Sequence, residues 1–252
     1  MISRTIASLA SSPAPIDPAK KRAPHSIAPQ PAAAVSPQPT YQPAGQSASH
    51  QSAPDVWVPY YKVTQRQGPR KLLLETLGHV GEAAMRPGFS VDLGTGTGAA
   101  ARLIYERTRW EVWALDASAS ADQYLCQRFG NQCPLGLTFI HDSFHTMRFA
   151  PSSVDLAWAG LALPYVPQGE IALVWDKIVD CLRDGGIFAG DFFGPEHRHF
   201  GRQDMNFHEP HQLEALLAGM DIIKLERNTR PHPFSQGKPM MMDCYHVIAR
   251  KP

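Results

Sequence analysis

The chain has 252 residues, 23 of them proline, and 43% are apolar, which leaves room for one or two ordinary domains. With a formal charge of +1, the chain lacks the broad basic footprint of a nucleic-acid binder. No apolar run approaches the roughly 18 residues of a membrane span, and "TIASLA" is too short for a signal-peptide core.

Residues 1–55 hold 10 of the prolines with 12 Ala and 9 Ser, and neither Phe nor Trp. A segment so poor in large apolar side chains cannot offset its ordering entropy, and it is expected to be disordered. Residues 56–252 then form one domain. The four cysteines, Cys126, Cys133, Cys181 and Cys244, make no CxxC pair. That fits a reducing, cytoplasmic setting without a disulfide framework.

Past the tail, Val56-Trp57-Val58-Pro59-Tyr60-Tyr61 leads to a helix with Pro69 at its first position and Leu73, Leu77, Val80 and Ala84 on one stripe. The period then switches repeatedly. Strands are expected at 89–93, 111–116, 137–142, 154–160 and 187–193, and helices at 98–108, 119–129 and 168–182. The last of these helices meets Arg183-Asp184-Gly185-Gly186, where a glycine suits a left-handed stop. Alternation of this kind builds a parallel sheet from βαβ units. After a His-rich loop (194–209), a helix from about Pro210 precedes strands near 221–227 and 241–250. With no helical pattern between them, these two should pair antiparallel.

The sharpest feature is Val91-Asp92-Leu93-Gly94-Thr95-Gly96-Thr97-Gly98 at a strand-to-helix junction. Glycines there allow a tight turn and close approach to a ligand, while the helix start offers free N–H groups. Gly94, Gly96 and Ala99 also satisfy the dinucleotide pattern, with Asp116 near the place of the ribose-binding acid. An NAD(P)-linked oxidoreductase is therefore a competing reading. Three acids favour S-adenosyl-L-methionine (SAM). Asp92 would meet its cationic amino-acid end but would repel a diphosphate. Asp116 ends the second strand, where it can accept from ribose hydroxyls. Asp142 ends the third, where it can accept from the adenine amino group with Phe144 over the ring. Each of the last two could instead cap a helix.

These residues resemble class I SAM-dependent methyltransferases, in particular the bacterial group that includes tellurite-resistance methyltransferases. The likeness runs over about 57–252, through "PGFSVDLGTGTG", "VWALDAS", "LTFIHDSF", "LALPYV", "LRDGGIFAGDFFG", "MNFHEPHQLEALLAG" and "YHVIARKP". It implies a Rossmann-like α/β fold with helices on both faces of a seven-stranded sheet in the order 3-2-1-4-5-7-6, strand 7 antiparallel. It also assigns Asp92 and Gly94–Gly98 to the methionine and ribose side, Asp116 to the ribose and Asp142 to the adenine. Leu93, Thr95, Thr97, Ala117, Ser143, Phe144 and Ala159 complete the expected cofactor set. Thr95 stands where family members commonly carry Cys or Ser.

Methyl transfer from a sulfonium is an in-line displacement, so alignment and exclusion of water matter most. The sequence shows no nucleophile-plus-base pair, and catalytic residues are unassigned. Expected acceptor contacts are Tyr60, Tyr61, Leu163, Pro164, Tyr165 and Phe193, with Trp57, Phe192, His197, His199 and His208 nearby. Neither His197-Arg198-His199 nor His208-Glu209-Pro210-His211 matches HExxH, and no metal is expected. The expected partner is a small-molecule acceptor, with no nucleic acid and no membrane; oligomeric state is left open. The Ser/Pro-rich start also resembles bacterial secretion leaders, so an alternative is a protein delivered to a host cell whose methyltransferase-like fold serves an interaction role.

Overall fold

The computed structural model describes residues 55–231 and 241–252. The expected disordered tail thus lies outside the described residues except for Asp55. That residue belongs with the domain: its carboxylate accepts from the Trp57 N–H (3.0 Å) and from the Ser118 hydroxyl.

Seven strands form one sheet: β1 (Phe89–Leu93), β2 (Glu111–Asp116), β3 (Leu137–His141), β4 (Val154–Ala159), β5 (Leu182–Phe193), β6 (Asp221–Pro231) and β7 (Met241–Arg250). Their order is β3-β2-β1-β4-β5-β7-β6. β1 to β5 run parallel to one another, and β7 runs antiparallel to both β5 and β6; the sequence pattern implied the β6–β7 pairing and the family resemblance the reversed strand 7. Among the described residues six α-helices accompany them: α1 (Val58–Thr64), α2 (Lys71–Val80), α3 (Ala99–Thr108), α4 (Ser120–Arg128), α5 (Ile171–Cys181) and α6 (Pro210–Leu216).

Because side chains alternate across a strand, each central strand feeds two cores. Phe89, Val91 and Leu93 of β1 join Trp175 and Ile178 of α5, Leu213 of α6, and Phe188 and Phe192 of β5. On the other face Leu156 and Trp158 of β4 meet Leu72 and Leu73 of α2, Ile104 of α3 and Leu125 of α4. Ser90 and Asp92 alternate with the first set, so Asp92 points to the side on which α3 packs. Position 92 is thereby fixed as a buried polar site at the carboxyl end of the central strand.

Two boundaries depart from expectation. α2 starts at Lys71, with Arg70 as its extended N-cap, so Pro69 stands outside it. Ala84 falls in a separate 3-10 turn, Gly81–Met85. α5 ends at Cys181 because Leu182 is already extended (φ −66°, ψ 136°) and pairs with Val154 of β4. Gly185 (φ +75°) therefore does not stop the helix. It sits in the irregular start of β5, where its N–H donates to the Lys251 carbonyl.

Candidate functional site

The carboxyl ends of the parallel strands open into one cavity of about 560 Å³, within the usual range of roughly 300–1,000 Å³ for small-ligand sites. One end is the turn after β1. Gly94, Gly96 and Gly98 all have left-handed φ (71°, 53° and 74°), which glycine adopts without steric cost. At Gly94 a Cβ would also lie 2.5 Å from Cβ of Ala162, and at Gly98 it would run into Leu125. Gly98 thus serves packing against α4 rather than the cavity wall.

Asp92 is buried in that wall. Its Oδ2 accepts from the Thr95 hydroxyl (2.7 Å) and the Ala101 N–H (3.0 Å), tying the turn to α3. Oδ1 has no hydrogen-bond partner among the described residues. Burial pushes the carboxyl up to about 7, more strongly than those two donors pull it down. Asp116, at the end of β2, accepts from Gly96 N–H (2.8 Å), Ser118 N–H (2.9 Å) and the Tyr61 hydroxyl (3.1 Å). Burial raises its pKa, and the same three donors moderate the shift. The Tyr61 phenol is raised as well, by burial first and then by the Asp116 charge, so it stays a donor. Asp142 follows β3, accepting from Ser143 N–H (2.7 Å) and from the Thr146 hydroxyl; with Ser143 and Phe144 it lines the same cavity.

α1 crosses the mouth. It is anchored just before its first turn by Asp55 on Ser118 and by Trp57 edge-on to Tyr165 at 4.8 Å, and in its middle by Tyr61 on Asp116. Beyond it the wall is Tyr60, Arg70, Leu161, Ala162, Tyr165, Phe193 and Met242. His197 stacks on Phe193 at 3.7 Å and lines the cavity with Arg198 and His199. Asp191 braces this end from behind. Its Oδ1 accepts from Arg70 (3.1 Å) and His246 Nδ1 (2.6 Å), and its Oδ2 from Leu161 N–H (2.9 Å). Asp191, Cys244 and His246 are spaced as metal ligands could be, but the Arg70 guanidinium already compensates the carboxylate.

Of the residues expected at the cofactor, Asp92, Gly94, Thr95, Gly96, Thr97, Asp116, Ala117, Asp142, Ser143 and Phe144 come together on this wall. Leu93 and Ala159 do not; both are strand residues pointing into the core. Of the acceptor residues, Tyr60, Tyr165 and Phe193 line the far end, whereas Tyr61 lies against Asp116. Leu163 and Pro164 are buried away from the cavity, which is walled by Leu161, Ala162 and Val166 instead. Phe192 is core, and His208 is buried on Asn206, where burial pushes it down to about 4. Arg70, Leu161 and Met242 carry no local sequence signal. Arg70 meets its partner across 121 residues, and Leu161 reaches its own across 30.

Residues 91–186 match the family model described as a methyltransferase domain. The fold is similar to that of a Haloferax volcanii methyltransferase solved with the Trm112 methyltransferase activator, at TM-score 0.55 and 17% identity, over 80% of this chain and 100% of that one. It is similar to TehB from Haemophilus influenzae at TM-score 0.58 and 10% identity, over 77% and 66% of the two chains. It is also similar to the Haemonchus contortus phosphoethanolamine N-methyltransferase 2 solved with S-adenosyl-L-methionine, at TM-score 0.56 and 16% identity. There the match covers 71% of this chain and 52% of that one, about half the larger enzyme's length. A comparison of the sequence with curated proteins found no match. Among the described residues no helix is long and apolar enough to cross a membrane.

Proposed function

Because the chain carries a SAM-dependent methyltransferase domain on the class I fold, we propose that it transfers a methyl group to a small-molecule acceptor held beneath α1. The observation that carries this reading is the doubly anchored α1. Tyr61 on Asp116 ties it to the cofactor end, and Trp57 on Tyr165, with Tyr60 and Phe193, lines the far end of a 560 Å³ cavity with aromatic side chains. A cofactor and a compact acceptor suit that space; a folded macromolecular substrate does not.

The near end fits the cofactor by its chemistry. A Cβ at Gly96 would sit 3.5 Å from the Tyr61 ring, so the glycine keeps open the gap between turn and lid. Asp92 Oδ1 would face the ammonium, Asp116 the ribose hydroxyls and Asp142 the adenine amino group, with Phe144 against the base. When bound, SAM supplies an activated methyl on a sulfonium. The protein's own contribution is alignment and exclusion of water: Tyr61 keeps Asp116 oriented, and α1 covers the site. The wall acids, Asp92, Asp116 and Asp142, all lie at this end. The Asp92 carboxylate, placed against the turn, weighs against the dinucleotide reading, since it would face a diphosphate.

The test is SAM turnover, followed as S-adenosylhomocysteine (SAH) formation, across thiols, chalcogen oxyanions, small hydroxylated acids and amines, with peptides and proteins in parallel. Turnover with at least one small molecule is expected. Turnover confined to peptides or proteins would overturn the proposal, as would binding of NAD(H) in place of SAH in calorimetry.

A further inference from the structure

The cysteine spacing in the sequence indicated no pairing, yet the fold places two of the four thiols in contact. Cys126 lies in the last turn of α4. The chain then reverses through two consecutive left-handed residues, Gly130 (φ 69°) and Asn131 (φ 65°), and the Asn131 N–H returns to the Cys126 carbonyl at 2.9 Å. This reversal lays Cys133 over Cys126, with the sulfurs 2.9 Å apart. A disulfide bond is about 2.05 Å long, so closing the bridge needs a shift of under roughly 1 Å. Both residues are only partly buried, so a small oxidant can reach them, whereas Cys181 and Cys244 are buried in separate places.

We propose that Cys126 and Cys133 are a redox modification site and form a reversible disulfide that staples the end of α4 to the segment leading into β3. The co-reactant is a low-molecular-weight disulfide such as oxidised glutathione. One cysteine thiolate attacks a sulfur of that disulfide, releasing one glutathione thiolate and leaving a mixed disulfide. The second cysteine sulfur attacks the protein-bound sulfur and releases the other glutathione. Two protein thiols are oxidised by two electrons, two glutathione thiols form, and the two protons leave with them.

The bridge would sit beside the site next to Arg128, two residues beyond Cys126. Its guanidinium donates to the Thr97 hydroxyl at 2.9 Å and to the Gln67 carbonyl at 3.0 Å, both on the cavity wall. Since the sulfurs already touch, the closed bridge should hold this clamp without displacing it.

The full-length protein is equilibrated with reduced or oxidised glutathione, alkylated and digested with trypsin. Cleavage after Arg128 separates the two cysteines, so a bridge joins peptides 110–128 and 129–148. The expected result in oxidised glutathione is that joined pair, two hydrogens lighter, with Cys181 and Cys244 still thiols and SAH affinity within about threefold of the reduced form. Cys126→Ser and Cys133→Ser proteins should each carry one lasting glutathione on the remaining partner. Free thiols at both positions at equilibrium, or stable glutathione adducts on the unsubstituted protein, would overturn the proposal. This readout is independent of SAM binding and of the acceptor.

Discussion

Replacing Asp92 with Asn separates the two roles the structure gives this side chain. Both of its internal hydrogen bonds, from Thr95 and Ala101, end on the same oxygen, Oδ2. An Asn carbonyl can take that position and keep the turn, leaving an uncharged amide in place of Oδ1. What is lost is the charge facing the cofactor ammonium. A hydrogen bond to a charged group contributes roughly 1.5–3 kcal/mol, so SAH should bind about 10- to 150-fold more weakly. The unsubstituted carboxyl titrates at about 7, so its ionised fraction falls roughly fivefold from pH 7 to pH 6, while an α-amino group remains charged. SAH affinity should fall by the same factor, and binding at pH 7 should release about half a proton. Stability moves in the opposite sense. A folded-state pKa raised above the unfolded value gives stability that is complete below about 4 and lost as pH rises through 7. Over a shift of about three units this amounts to roughly 4 kcal/mol. Asp92→Asn removes that loss, so at pH 8 it should melt no lower than the parent. Calorimetry in buffers of different ionisation enthalpy reads affinity and proton release together. Unchanged affinity, or a pH dependence that survives the substitution, would refute the role of the carboxylate.

Gly94→Ala meets both a left-handed φ, costing about 1–3 kcal/mol, and the Ala162 Cβ at 2.5 Å; equilibrium dialysis should find SAH binding lost while far-ultraviolet circular dichroism is retained. Tyr61→Phe removes one of three donors to Asp116 and one anchor of α1. At about 1–2 kcal/mol, KM for SAM should rise roughly fivefold to thirtyfold in steady-state assays, with a smaller effect on kcat. Asp191→Asn leaves the partly exposed Arg70 and His246 facing a neutral amide. A loss of about 1–3 kcal/mol is expected, read in urea unfolding as a lower midpoint, with SAH affinity of the folded fraction preserved. Removal of residues 1–54 should leave SAH affinity unchanged, whereas cutting past Asp55 should weaken it through the Ser118 contact, both read by titration calorimetry.

The parts of this fold that can be read in the sequence are those whose causes are local. β1, β2, β4 and the later part of β5 show as short apolar runs because each is covered on both faces, and the turn after β1 shows because three glycines in five residues have one economical explanation. The acids at 92, 116 and 142 need only the rule that parallel strands end on one crevice. What ends α5 is, by contrast, not local. Gly185 resembles a helix stop, but pairing of Leu182 with Val154 ends the helix three residues sooner, and that partner lies 28 residues upstream.

The acceptor end is built from such distant partners throughout. Leu161 has a left-handed φ of 55° although it is not glycine, and its N–H donates to Asp191, 30 residues away. That bond sets the phase of the loop after β4. Leu161 and Ala162 thereby face the cavity, Leu163 and Pro164 turn to the core, and Tyr165 returns to the wall. An alternating or helical period read along 161–166 cannot anticipate this, because neither period applies to a loop pinned from outside. The same carboxylate holds Arg70 in the acceptor wall and neutralises it there. Asp191 does not itself line the cavity, yet through Leu161 and Arg70 it sets the shape of the space left for the acceptor.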